Sequence, residues 1–456
     1  MGNTKQKVNS SFRDPDAFVF KDDEGVFYRQ MNTSYQSDFE LFISSGLYQL
    51  LSKSEKLISH VETNDVVFNQ STHYKTIKPE QLSFISYAYE WSFDQFKDAA
   101  MLTLDVLKDA LDKGMILKDA THFNIQFLRG KPIFIDTSSF EKYEDGMPWI
   151  AYRQFCENFF GPLLLMKYVD QGMNKMLQIY PDGIPLHIVA KALPLKSKLN
   201  ISSLLHVHFQ SSFKGTTKSV KKYRIQKNRL YALIDNLYSA ISKMKVDQSN
   251  STWDDYYTDT ILSKEYLTEK TNIVNQFINE IEIKLALDVG TNNGVFAQLL
   301  ASKNIDVVAI DFDTVCVNNL YNTSKNNKVK NILPLCVDIT TPTPAIGWNN
   351  DERSEFVHRN KFDLTMALAL IHHLCISKNL PIDKVAKLFS SFSKTLIIEF
   401  VPKEDEKVQL LLNNREDIFS NYSQQEFETV FSNYFQLLKK VEIKGTGRVL
   451  YHFGSK

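Results

Sequence analysis

Hydrophobic and polar positions follow two different rhythms along this chain. In the first half, short apolar runs alternate with longer amphipathic stretches. Ala17–Phe20 and Val26–Arg29, joined by the turn-rich Lys21-Asp-Asp-Glu-Gly25, predict a β-hairpin. Apolar residues three and four apart predict helices over Ser37–Ser52 and Phe93–Lys113. A second hairpin is expected from Asn124–Phe127 and Pro132–Ile135, turning at Arg129-Gly130, with helices again over Pro148–Tyr180 and Lys227–Met244. The polar, aperiodic Val246–Thr252 marks a boundary. Beyond it a helix over Tyr266–Glu282 leads into apolar strands at Leu285–Val289, Val307–Asp311, Asn331–Val337, Phe362–Ala369 and Thr395–Phe400, separated by helical stretches. Such alternation predicts a doubly wound parallel sheet. Phe435–Lys444 and Arg448–Phe453, around Gly445-Thr-Gly447, close the chain as an antiparallel pair. Domains are therefore expected at 1–245 and 265–456, with 246–264 as linker.

Bulk composition changes this picture little. At 456 residues the chain is too long for one ordinary core. Lys+Arg and Asp+Glu balance at 53 each, so no global field points to DNA, RNA or an anionic membrane. Cys156, Cys316, Cys336 and Cys375 fit no metal-ligand spacing and read as reduced, buried thiols. The N-terminus lacks an apolar signal core and the Ser or Thr at position 6 of a myristoylation signal. No apolar run approaches about 18 residues, so no membrane span is expected and the cytoplasm is the expected compartment. Lys214 to Arg229 holds seven Lys or Arg, either a solvated helix face or a site for an anionic substrate; its few aromatics argue against a nucleic-acid platform.

Candidate chemistry concentrates after residue 285. Leu285-Ala-Leu-Asp-Val-Gly-Thr-Asn-Asn-Gly-Val-Phe296 reads as strand, tight turn and helix start, and Asp311 ends the next strand. Glycines let a backbone approach a nucleoside, and an acid at that place binds ribose hydroxyls. Asp338 and Ile339 end the third strand, and Ala369 to His373 follow the fourth. A Gly-x-Gly-x-x-Gly dinucleotide fingerprint is absent, because Asn292 and Asn293 interrupt it. Each acid has a plainer reading too: Asp288 as a turn cap, Asp338 as a loop acid, and Asp313 as the cap of a helix starting at Thr314. His372 and His373 are candidate general bases, with at least one expected to face the core.

These features, in this order, resemble the class I S-adenosylmethionine-dependent methyltransferases over Glu265 to Lys456. The resemblance implies a Rossmann-like seven-stranded α/β sheet and S-adenosyl-L-methionine as cofactor. It assigns Asp288, Gly290, Asn292 and Gly294 to the amino-acid end of the cofactor and Asp311 to both ribose hydroxyls. Asp338 and Ile339 fall to the adenine, and Ala369 to His373 lie under the methyl group. Glu399 to Asp405, Arg415 and Tyr422 are candidate acceptor-facing residues, and Trp253, Tyr256 and Tyr257 a candidate aromatic flap.

In the first half, Asp119, Asn124 and Asp136 bracket a predicted hairpin, and Tyr87-Ala-Tyr-Glu-Trp91 precedes the long helix. That order resembles a kinase catalytic loop, with Asp119 as proton acceptor and Asn124 and Asp136 holding Mg2+ for ATP. The Gly-rich loop and the Val-Ala-Ile-Lys strand of kinases are missing; Arg29 is the nearest basic residue, and Thr137-Ser138 replaces Phe-Gly. The plain reading is that Asp119 and Asn124 cap turns. An α+β, degenerate kinase-like domain before a methyltransferase resembles the rhizobial host-specific nodulation methyltransferase-like proteins. This implies a small-molecule or saccharide (glycan) acceptor recognised by the first domain. Bifunctional kinase activity and non-catalytic cofactor binding are the alternatives.

Overall fold

The computed structural model describes residues 5–63, 66–212, 224–246, 264–413 and 416–456. The chain divides into two compact units, Met1–Asp247 with Ala345–Ser354, and Gln248–Pro344 with Glu355–Lys456. Trp253, Tyr256, Tyr257, Arg415 and most of the basic run at Lys214 to Arg229 lie outside the described residues.

The first unit opens with a five-stranded antiparallel sheet built from β1 (Gln6–Lys7), β2 (Ala17–Lys21), β3 (Phe27–Asn32), β4 (His60–Thr63) and β5 (His73–Pro79), in the order β1-β2-β3-β5-β4. The β2–β3 hairpin is the expected one; β1, β4 and β5 are polar strands whose sequences show no clean alternation. The expected helix over Ser37–Ser52 is two helices, Gln36–Ser44 and Leu47–Lys53, broken where Gly46 takes φ +77°. Helix Phe93–Asp112 starts at a capping box of Ser92 and Gln95, and buries Phe96, Ala100, Leu104, Leu107 and Leu111 on one stripe. Two short pairs follow: β6 (Met115–Leu117) with β9 (Phe140–Lys142), and β7 (Ile125–Leu128) with β8 (Lys131–Phe134). Helical segments from Tyr152 to Phe209 and the helix Lys227–Ser242 complete the α+β unit.

Ala345–Ser354 comes from the stretch that sequence rhythm places in the second domain, yet it belongs to this unit. Arg13 makes a two-pronged bond to Glu352 (Nε–Oε1 2.6 Å, Nη2–Oε2 3.1 Å), and the Arg353 guanidinium lies 3.9 Å over the Phe123 ring. Individual polar contacts of this kind leave no periodic trace in a sequence.

The second unit is built on a seven-stranded sheet of β10 (Leu285–Val289), β11 (Asp306–Asp311), β12 (Ile332–Cys336), β13 (Leu364–Ala367), β14 (Leu396–Phe400), β15 (Phe435–Glu442) and β16 (Val449–Ser455). The order is β12-β11-β10-β13-β14-β16-β15, parallel except for β16, which runs antiparallel to both neighbours. Helices cover the sheet, so its central strands are buried and read as nearly continuous apolar runs. Strand order reverses between β10 and β13, and the carboxyl ends beside that switch form the crevice where open α/β sheets bind ligands. All four cysteines are buried and free. No described helix is long and apolar enough to cross a membrane.

Candidate functional site

The turn after β10 is held at the switch by backbone geometry. Gly290 N and Thr291 N both donate to Ile310 O (2.9 and 3.0 Å), tying the turn to the end of β11. Gly290 and Gly294 take φ +74° and +77°, and a Cβ on Gly294 would overlap the Leu320 side chain. Left-handed backbone with no room for a side chain is what glycine alone supplies without strain. Asn292 also lies there, at φ +48°, a region that asparagine tolerates better than other non-glycine residues. Across the crevice Ala369 takes φ +51° just beyond β13, and Leu370 packs 3.2 Å from where a Gly290 Cβ would sit.

Two acids face this turn without a cation bonded to them. Asp311, at the end of β11, accepts from Asn292 N (2.9 Å) and Asp313 N (3.0 Å). Burial, reinforced by the Asp313 charge, pushes its carboxyl up to about 6 despite those N–H groups. Asp288 in β10 accepts from Thr291 Oγ1 (2.7 Å), and burial raises it to about 6 as well. Asp338 is occupied locally, its Oδ1 accepting from Thr340 N (2.9 Å) and Thr340 Oγ1 (2.7 Å), while Ile339 beside it is buried. Asp313 caps the helix Thr314–Asn326, accepting from Val315 N and Cys316 N.

Residues expected to face an acceptor are less open than the sequence implies. Glu399 in β14 is fully buried: Oε1 accepts from Tyr266 Oη (2.6 Å) and lies 3.3 Å from Arg448 Nη1, and Oε2 sits 2.6 Å from Lys270 Nζ. Burial favours its neutral form, but Lys270 and Arg448 outweigh that and hold the carboxyl below its ordinary range. Arg448 is in turn clamped by Asp405 through Nε and Nη2 (2.7 and 3.0 Å). The Glu399 carboxylate thus centres an internal ion-pair network and presents no surface to an acceptor. Tyr422 is likewise in the core, donating to Val401 O (2.7 Å) and stacking on Phe400. His372 is fully buried with no hydrogen-bond partner at either ring nitrogen, and burial drives it well below its ordinary value. His373, partly exposed, is lowered to about 4 by burial and by Arg448 and Lys407. Both imidazoles are neutral at neutral pH.

Sequence reasoning missed Tyr266, Lys270 and Arg448. The signal was present for Lys270, which interrupts the apolar stripe Tyr266, Ile273, Val274, Phe277 on helix Lys264–Ile278. A lysine in such a position must be paired or exposed, and this one is paired.

In the first unit Asp119, Asn124 and Asp136 do come together. Asn124 Nδ2 donates to Asp119 Oδ2 (3.3 Å) and to Ser139 Oγ (2.9 Å), and Ser139 Oγ donates to Asp136 Oδ2 (2.5 Å). Asp136 Oδ1 is ion-paired with Arg29 from β3 and accepts from Ser138 Oγ (2.7 Å) and Ser138 N (3.1 Å). Arg29 and the serine donors outweigh burial and hold Asp136 below the usual carboxylate range. Asp119, bonded to Gln154 Nε2 (2.6 Å), is raised by burial and by the Asp136 charge. Both Asp136 oxygens are therefore engaged, and Arg29 supplies the cation that Mg2+ would otherwise supply. As arranged, these residues do not fit a divalent ion, and no described group of three His, Cys, Asp or Glu side chains does.

Strand order, switch position and glycine turn together give the second unit a seven-stranded, Rossmann-like α/β fold. The whole chain belongs to the family of the nodulation protein NoeA. The NoeA of Rhizobium meliloti (strain 1021) is 32% identical over 458 residues, spanning 98% of this chain and 96% of that protein. No protein-family model matches the chain. Among solved structures, it is similar to the N-methyltransferase NodS of Bradyrhizobium japonicum WM9 in complex with S-adenosyl-L-homocysteine. That match has 12% identity and a TM-score of 0.33, covering 44% of this chain and 90% of NodS. It is also similar to the bifunctional kinase-methyltransferase WbdD, at 19% identity and a TM-score of 0.29, over 44% of this chain and 41% of WbdD.

Proposed function

We propose that the second unit transfers a methyl group from S-adenosyl-L-methionine to a small-molecule or saccharide acceptor, and that the first unit recognises this acceptor. The observation that carries the reading is the Gly290–Gly294 turn set against Asp311, a buried carboxylate bonded only by backbone N–H groups. Its remaining lone pairs suit a pair of vicinal ribose hydroxyls, which would replace the solvation that burial removed. Asp338 and Ile339 would flank the adenine, and the backbone of Asp288 to Gly294 the methionine end. The cofactor's sulfonium supplies an electrophilic methyl group. What remains to the protein is to align the acceptor lone pair with the methyl–sulfur bond and exclude water, a task of positioning. His373, neutral and partly exposed after β13, would be the group to take a proton from the acceptor, as a weak base.

Calorimetry with S-adenosyl-L-methionine tests the reading: the wild type should bind, and Asp311→Ala should bind far more weakly. Absence of binding by the wild type would overturn it. Cells with and without the gene should then differ by one methylene on a metabolite or glycan; bound cofactor without turnover across a broad acceptor panel would favour a non-catalytic binding protein.

A second reading, ATP-dependent phosphoryl transfer in the first unit, is favoured by the convergence of Asp119, Asn124 and Asp136. It requires Arg29 to leave Asp136 before a metal enters. ATP–Mg2+ binding that disappears in Asp136→Asn would support it, and no binding by the wild type would remove it.

A further inference from the structure

The chain is electrically balanced as a whole, yet from Gly183 to Ile234 the sequence holds ten Lys or Arg and no Asp or Glu. Between Leu195 and Phe209 several positions depart from the ordinary rule of burial, although Val207 is buried. Ser197, Ser203 and His206 are buried, while Leu195, Leu199 and Ile201 are 80%, 87% and 71% exposed. Leu204, Leu205 and Phe209 are also exposed.

These departures are enforced by hydrogen bonds on the inner side. His206 is gripped at both ring nitrogens, Nδ1 by Tyr152 Oη (2.7 Å) and Nε2 by Asn236 Oδ1 (2.8 Å). Ser197 Oγ bonds His208 Nε2 (2.9 Å), and Asn200 Oδ1 caps the next turn by accepting from Ser203 N (3.0 Å). These bonds set the register of the 3-10 segment Leu195–Leu199 and of the helical turns Ile201–Phe209, and so hold the leucines and isoleucine outward. Lys196 and Lys198 lie in the same segment, and Lys191 in the helix before it. Beside it is a cavity of about 540 Å³ whose walls include Leu164, Tyr168, Leu199, Ile201, Lys167 and Lys243, and no acid.

An apolar face rimmed by lysines, without a carboxylate near it in sequence, matches the interface of an anionic bilayer: acyl chains take the leucines and headgroup phosphates take the lysines. We propose that Leu195–Phe209 is a peripheral docking surface for anionic lipid membrane, which would bring the first unit to a membrane-borne substrate pool. A protein partner is a poorer match, because neither the stretch nor the cavity lining offers an acid to pair with a partner's cations.

Flotation of the full-length protein with vesicles tests this. Binding is expected to vesicles of phosphatidylcholine containing phosphatidylglycerol, and not to phosphatidylcholine alone. The double variant Leu199→Glu/Ile201→Glu should abolish it. Lys196→Ala and Lys198→Ala should each weaken it roughly fivefold, and added salt should weaken it further. Because every substituted side chain lies at the surface, thermal unfolding and cofactor binding should not change, which separates lost docking from lost folding. No flotation with anionic vesicles would overturn the proposal, as would equal flotation with neutral ones. So would self-association that Leu199→Glu disperses in a protein that leaves vesicles unbound.

Discussion

Asp311 in the second unit is buried and Asp136 in the first is mostly so, and both stand at or just past the carboxyl end of a strand. The protein treats them oppositely. Asp136 is supplied with Arg29 and two serine hydroxyls and is held ionised below its ordinary range. Asp311 receives only backbone N–H groups and is pushed up to about 6. A carboxylate whose charge is already matched has no need of a ligand; one that is buried and under-solvated gains from any donor that arrives. The difference separates a carboxylate satisfied within the fold from one with acceptor capacity left over, although an acid after an apolar strand marks both in the sequence.

Glu399 offers the strongest test, because it is a third buried acid and resembles Asp136. Glu399→Ala would leave Lys270 buried without its partner and should destabilise the protein by about 3–5 kcal/mol in denaturant unfolding. A loss below about 1 kcal/mol would show that the network is not what holds these strands and helix together.

Next in size is the ligand side of the contrast. Asp311→Ala should weaken S-adenosyl-L-methionine binding on the order of 100-fold, from loss of two charge-assisted hydrogen bonds at about 1.5 kcal/mol each. Asp136→Asn should leave that affinity within about twofold, since mutations without shared partners act independently. Equal losses in the two variants would break the comparison.

Titration sharpens it further. Below about pH 6, Asp311 gains a proton and loses an acceptor, so cofactor affinity should fall by up to about tenfold per pH unit. Asp311→Asn should flatten that profile. Stability of the ligand-free chain should move the other way. The folded state keeps protons on Asp288 and Asp311 up to about 6, whereas the unfolded chain releases them near 4. The contribution of these two acids is therefore fully present below about pH 4 and is lost as pH rises through 6. Asp288→Asn should remove part of that slope in chemical denaturation between pH 4 and 7.

The core strands were legible because parallel strands buried on both faces leave apolar runs, as in Leu285–Val289 and Leu396–Phe400. Polar strands such as His73–Pro79 were not, since the contacts that order them come from neighbours distant in sequence. Gly46 broke a helix that periodicity alone would have run through. Among site residues, Gly290, Gly294 and Asp311 stood out because a tight turn and a strand-end acid are local signals. Glu399 misled for the same reason: it follows an apolar run at a strand end, and its partners Lys270 and Arg448 are far away along the chain.

Local chemistry therefore determined which residues carry backbone freedom, charge and burial: the α/β alternation, the glycine turn, and the acids after successive strands. Only the tertiary structure decided which acids are neutralised. That depends on whether a cation from another element reaches them, as Arg29 reaches Asp136 and Lys270 reaches Glu399. It also placed Leu199 and Ile201 outside and His206 inside, against their hydropathy, because hydrogen bonds from Tyr152 and Asn236 fix the register and hydropathy must follow.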